Sequence, residues 1–257
     1  MQQAISLKIF CNEHDTSLFY DIEHGDVNFD DYRVQLLYSY RAQCAELRKK
    51  QINKEMNARW RKSNILYNPR INEYLELTDH GYDLSMRDME VYRNEIESEL
   101  NSPTGLFTFH LFSYPKLGVY ASSAFSYDEN GSQVTGALKS ENGEVWDNCF
   151  IHILPLENST EIIVGYSNNH TNDRLRAYAA SWGNLSNEEL GIKLTDLFAG
   201  HIEGWGMAPS LCDKISPELK MKYTDYMKVN AQNYSIMQNV GFNLFEGCFD
   251  EVESNIK

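Results

Sequence analysis

No run of 18 apolar residues occurs in the 257-residue sequence, so no segment reads as a membrane-spanning helix. The stretch from Met1 to Phe10 carries neither a basic leader nor an apolar core of signal-peptide length. A cytoplasmic setting with no membrane partner is the expectation. Cys-x-x-Cys is absent as well. The five cysteines, Cys11, Cys44, Cys149, Cys212 and Cys248, are odd in number and widely spaced, which argues against a disulfide framework and a self-contained zinc ribbon. Low-complexity linkers, internal repeats and a heptad seam are also missing, so one globular domain over residues 1–257 is expected.

What the chain does have is the material for a core: 42% hydrophobic residues, including four Trp, 16 Tyr and 12 Phe. Its net charge of −14 disfavours non-specific attraction to nucleic acid or to an anionic membrane. That charge is unevenly spread. Residues 41–70 hold nine cations against Glu46 and Glu55, so this stretch is +7 and the remainder −21. A strongly dipolar molecule follows.

Hydrophobic spacing divides the chain into three parts. Residues 5–10 alternate like a short strand, and a polar, turn-like run starts at Cys11. A long helix is predicted from Asp30 or Asp31 to Trp60 or Ile65, its second half carrying Ile52, Met56 and Trp60 as one remaining apolar seam. A second is predicted over 85–100, with Ser85 as cap and Asp88 three residues on. From Gly105 to Ser167 the period becomes two, and turn formers between the segments suit antiparallel strands. Helices are expected again over 171–182, from Ser186 to His201 with Glu189 in a capping box, and from Pro217 to Asn239. The fold class is thus α+β: 1–104 mainly helical with an N-terminal strand, 105–168 a central antiparallel β-meander, 169–257 helical, with helices from both ends of the chain packed on the sheet.

Two stretches hold chemistry-bearing side chains. Cys11 and His14 stand three apart, a spacing that suits two zinc ligands, although a structural zinc needs four. Buried packing of Cys11 with a hydrogen-bonded His14 and Asp15 is the alternative. With His14, the nearby Asp15, Glu23 and His24 are candidates for metal-assisted phosphodiester hydrolysis, carboxylates holding a divalent ion and a histidine serving as base. The competing reading is an acidic loop leading into a helix N-terminus, where the macrodipole favours negative charge. The second stretch is basic: Arg48, Lys49, Lys50, Lys54, Arg59, Arg61 and Lys62, with Trp60 among them, form a candidate binding face. Cations and a stacking ring suit nucleic acid, but the acidic remainder of the chain favours protein contact or a homo-oligomer.

Residues 10–23, "FCNEHDTSLFYDIE", resemble the Phe-Cys-x-x-His-Asp-x-x-x-Phe-x-x-Ile-Glu signature of a functionally uncharacterised group of bacterial proteins. "LLYSYRAQCAELRKK", "VYASSAFSYDENG", "CFIHILPLENSTEIIVGYS" and "HIEGWGMAPSL" are similar to its later segments, over most of residues 5–215. The resemblance implies a zinc module of treble-clef or HNH type, in which further Cys and a Ser-His motif precede the Cys and His. This sequence lacks that preceding segment, so Cys11 and His14 are expected to be half of such a site. No cofactor is expected, with zinc as the alternative. The functional expectation is an interaction or regulatory component of a bacterial multi-protein or self-associated assembly, with antiviral defence as the setting the resemblance suggests. The alternative is a metal-dependent nuclease or phosphodiesterase built on residues 11–26.

Overall fold

The computed structural model describes residues 9–24, 26–63, 69–127, 141–233 and 240–249. Where one domain was expected, the chain divides into two compact units, Met1–Leu106 with Gln133–Trp146 and Phe107–Ser132 with Asp147–Lys257. The first is helical and the second holds an antiparallel sheet with its own helices, an α+β architecture with helices at both ends of the chain.

In the first unit, residues 5–8 of the expected strand lie outside the described residues, and Ile9 and Phe10 are not in a strand. The polar run after Cys11 is not a turn. It forms two short helices, α1 (Asn12–Leu18) and α2 (Tyr20–Glu23). Glu13 and Asp15 sit in the first turn of α1, where carboxylates are favoured. Phe19 and Ile22, three apart, turn inward and pack with Val34 and Leu37 of the next helix. That helix, α3 (Tyr32–Lys62), starts at Asp31, whose side chain accepts a hydrogen bond from the Val34 amide at 3.1 Å.

The fourth helix, α4 (Pro69–Asn101), begins 16 residues before the expected start, and Ser85 lies in its interior. Proline suits the first helical position. The early turns escaped the hydrophobic pattern because the positions they bury are Leu75 and an acid, Asp79; further along, Asp88, Tyr92, Ile96 and Glu99 continue the buried stripe. Helices α3 and α4 run antiparallel, tied by Tyr32 Oη to Glu99 at 2.6 Å, Tyr40 Oη to Glu97 at 2.8 Å, Gln43 Nε2 to the Met89 carbonyl at 2.9 Å and Asn57 Nδ2 to Asp79 at 2.8 Å.

The second unit contains β1 (Phe107–Pro115), β2 (Val119–Phe125), β3 (Cys149–Pro155), β4 (Ser159–Ser167) and β5 (Trp205–Met207) in the order β1-β4-β3-β2-β5. All pairs are antiparallel. Strands β2, β3 and β4 follow one another as a meander, and β1 lies along the far side of β4. The three residues between β1 and β2 cross the end of the β3–β4 hairpin, where the Thr160 hydroxyl accepts the Leu117 amide at 2.8 Å. Val119, Ala121, Cys149, Ile151, Ile153, Ile162 and Val164 line one face and pack with Leu175, Trp182, Leu194 and Phe198. Those last four residues come from α5 (Asp173–Ala180), α6 (Asn187–Gly200) and the turn between them. The capping box read at Ser186 and Glu189 is present with both of its hydrogen bonds. After β5, α7 (Pro209–Lys214) and α8 (Pro217–Asn233) follow, and residues 234–239 of the expected last helix lie outside the described residues. Residues 240–249 return to α6. The Asp196 carboxylate accepts the Val240 amide at 2.8 Å, and the Thr195 hydroxyl accepts the Leu244 amide at 2.9 Å.

Candidate functional site

Helix α1 starts immediately after Cys11, which puts the Cys11 thiol one turn from His14, with Sγ 3.1 Å from Nδ1. The thiol is exposed and does not pack in the core. His14 and Asp15 are neighbours in sequence, yet their side chains have different company. The Asp15 carboxylate accepts from the Arg41 guanidinium at 3.2 Å, and Glu23 accepts from the same guanidinium at 2.5 Å. Arg41 also lies over the Phe19 ring, 4.1 Å from its centroid. His24 stacks on Tyr20 at 4.6 Å.

The 11–26 stretch therefore splits into a Cys11–His14 pair, an Asp15–Arg41–Glu23 ion-pair cluster and a Tyr20–His24 stack. Among the described residues, no three His, Cys, Asp or Glu side chains are grouped to hold a metal ion. Cys11 and His14 would supply two ligands to a zinc held with help from elsewhere. Asp15 and Glu23 would have to release Arg41 before serving a cation.

The basic face of α3 is divided in the same way. Lys49 bonds Glu46 at 2.7 Å and Arg48 reaches Gln51 at 3.1 Å. Lys50 lies over the Tyr82 ring, 5.6 Å from its centroid. Lys54 pairs with Asp83, and Arg61 pairs with Asp79, which Asn57 also bonds. Burial raises the Asp79 carboxyl, but the hydrogen bonds from Asn57 and Arg61 outweigh it and hold the acid below its usual range. These cations are largely engaged by acids and aromatics of their own unit. Arg59, Trp60 and Lys62 are different. All three are exposed at the C-terminal end of α3, Trp60 to 46% and Met56, one turn earlier, to 41%. Met56 and Trp60 thus do not continue an inward seam, because the buried position of this half is Asn57.

A third cluster, in the second unit, was not legible as a motif. Lys193 of α6 donates to the Ser181 carbonyl at 2.8 Å, beyond the end of α5, and lies over the Tyr178 and Trp182 rings at 5.3 and 4.9 Å. Burial pulls its ammonium down to about 8. Tyr178 stacks on Tyr127 at 3.9 Å, and His201 sits 5.7 Å from Tyr127. Burial lowers the His201 imidazole to about 4 and that of His152, on β3, to about 3. Separate from this cluster, on the opposite face of the sheet, Ser122 Oγ lies 2.9 Å from His152 Nδ1, because Ser122 and His152 face each other across β2 and β3. The members come from separate elements, so no local spacing could have announced them. Their contacts are structural: an amine closing a helix end over two rings, a buried imidazole at His152 and a half-buried one at His201.

The fold class is a two-unit α+β protein, one unit a helical hairpin with a small N-terminal corner, the other a five-stranded antiparallel sheet with helices. No protein-family model, curated protein or solved structure matches the chain. No helix of the described residues is long and apolar enough to cross a membrane.

Proposed function

We propose that the chain is an interaction or regulatory component of a protein assembly and that the C-terminal end of α3 makes the contact. The observation that carries this reading is the contrast along one helix. Lys49, Lys54 and Arg61 are neutralised within the unit, whereas Arg59, Trp60 and Lys62 stand exposed beside Met56. Two cations around an exposed Trp, with a Met nearby, suit an acidic protein surface, since Trp and Arg are the residue types that most often anchor interfaces. The bacterial signature at residues 10–23 supports an assembly of bacterial type, and antiviral defence is the role it suggests.

The test compares the tagged wild-type chain with the triple variant R59E/W60A/K62E, purified side by side from the cell of origin. A protein present in stoichiometric amount with the wild type should be lost with the variant while the melting temperature stays the same. Equal co-purifying proteins in both preparations would sink the reading. So would nucleic acid that accompanies the wild type and is missing from the variant, which would move the surface to the other ligand class.

A further inference from the structure

We infer that the cationic end of α3 is met by the acidic, apolar outer face of α4 in a second copy of the chain, each copy giving one surface and receiving the other about a two-fold axis. This rests on the reading of the α3 end as a contact and names its partner. Four of the nine large apolar side chains exposed among the described residues lie on this one helical hairpin, Met56 and Trp60 on α3 and Tyr74 and Leu77 on α4, which marks it as a contact surface. Leu77 is the most open of the nine at 71%, and Tyr74 is 52% exposed.

The α4 patch faces away from α3 for a reason of helix geometry. Leu77 stands two residues from each of the buried Leu75 and Asp79, and a two-residue step turns an α-helix through about 200°, so Leu77 points opposite to both. Tyr74, Leu77 and Gly81 follow at three- and four-residue spacing and share that outward side. A Cβ added at Gly81 would meet open space, so the face has room for another helix. Glu73 and Glu76, on either side of Tyr74, are exposed. Among the described residues neither is ion-paired, and neither are Arg59 and Lys62.

A second copy fits because the two surfaces are complementary in charge. Helix α4 carries nine acids against three arginines, −6 in all, whereas residues 41–70 are +7. Within one copy, Asp79 and Asp83 take Arg61 and Lys54, which leaves the outward acids and the end cations for another molecule. A chain of net charge −14 repels its own copies, so self-association needs a contact of opposite local charge, and these surfaces supply one. Asn57 and Arg61 both reach Asp79, which sets the end of α3 level with the turn of α4 that carries Leu77. Both surfaces therefore lie on the same stretch of the hairpin, where a two-fold axis lets both contacts form at once and closes the assembly at two copies.

Sedimentation velocity of the full chain over a concentration series tests the inference. The wild type is expected to show a monomer–dimer equilibrium that weakens by about tenfold or more in R59E/K62E, and as much in E73K/E76K. All four positions are exposed, so the melting curves should not change. The decisive sample is an equimolar mixture of these two variants. In a reciprocal dimer of one of each, one contact keeps its native charges and the other has both signs exchanged, so the mixture should dimerise although neither variant does so alone. A wild type that is monomeric at every concentration overturns the proposal. So does a dimer that either variant leaves unchanged, or a mixture of the two folded variants that stays monomeric. If R59E/W60A/K62E releases a different protein in the co-purification while the pure chain is monomeric, the α3 contact stands and this inference alone falls. If R59E/K62E changes neither assay, both fall.

Discussion

Glu99 shows how much one buried side chain can organise. It is only 2% exposed, and its carboxylate accepts from Tyr32 Oη at 2.6 Å, the Thr104 amide at 3.0 Å, the Gly105 amide at 3.0 Å and the Leu106 amide at 3.2 Å. Burial alone would raise its pKa, but these donors reverse the effect and hold it at about 2. A carboxylate held below its unfolded value stabilises the fold above about 4.5, and that stabilisation is lost as pH falls from 4.5 towards 2. Glu99→Gln leaves several donors facing an amide that cannot serve them all, so urea unfolding should show a loss of about 1–3 kcal/mol at neutral pH. The same variant should lose less further stability than the wild type when acidified through that window.

Two imidazoles act in a higher pH range. His152 and His201 are neutral in the fold, with values of about 3 and 4, against about 6.5 for an ordinary histidine. The unfolded chain binds protons first as pH drops below 6.5, so their contribution is complete above 6.5 and declines as pH falls towards 4. Thermal melts of the wild type should decline through this range, and His201→Gln should flatten the decline. A curve unchanged by the substitution would show that His201 titrates as an ordinary surface group.

At the scale of elements, the N-terminal corner hangs on Arg41. One guanidinium joins Asp15 of α1, Glu23 of α2 and the Phe19 ring to α3. Each contact is partly exposed and modest, and together they are worth about 1–2 kcal/mol. Arg41→Ala should accelerate amide exchange in residues 12–23 and leave α4 unaffected. Raising the salt should reproduce part of that effect in the wild type.

The C-terminal segment is held by an equally local device. Thr195 is fully buried on α6, where its hydroxyl donates to the Gly191 carbonyl at 2.7 Å and accepts the Leu244 amide at 2.9 Å. Gly191 matters because a Cβ there would collide with the Asn243 amide, which is itself fixed by the Phe245 N–H at 2.8 Å. Thr195→Val keeps the volume and removes the acceptor. It should cost about 1–3 kcal/mol and release the Leu244 amide to exchange ahead of the α6 core.

For the whole molecule, charge is the controlling quantity. The stretch 41–70 carries +7 and the rest −21, but the structure shows that several of those cations are already neutralised within the first unit. The contact proposed at the C-terminal end of α3 should weaken as salt shortens the screening length to about 8 Å at 0.15 M and less beyond it. A salt titration followed by light scattering checks this: the proposed complex with an acidic partner should dissociate as salt rises.

The sequence by itself determined the features that rest on short-range chemistry. A cap at Asp30 or Asp31, which the structure places at Asp31, the cap at Ser186, the change to a period of two after Gly105, and the antiparallel sense of closely spaced strands all depend on residues a few positions apart. Only the tertiary structure decided matters that depend on distant partners. Asp79 looks like a surface residue until the facing helix supplies Asn57 as donor, which is why the first half of α4 was not predicted; Glu99, in the predicted half, looks the same until a folded-back loop supplies its donors. Asp15 and Glu23 resemble metal ligands in a list of side chains and become ion-pair partners once α3 carries Arg41 between them. Spacing along a chain encodes local geometry. The charge, exposure and partners of a side chain are set by what the fold brings against it.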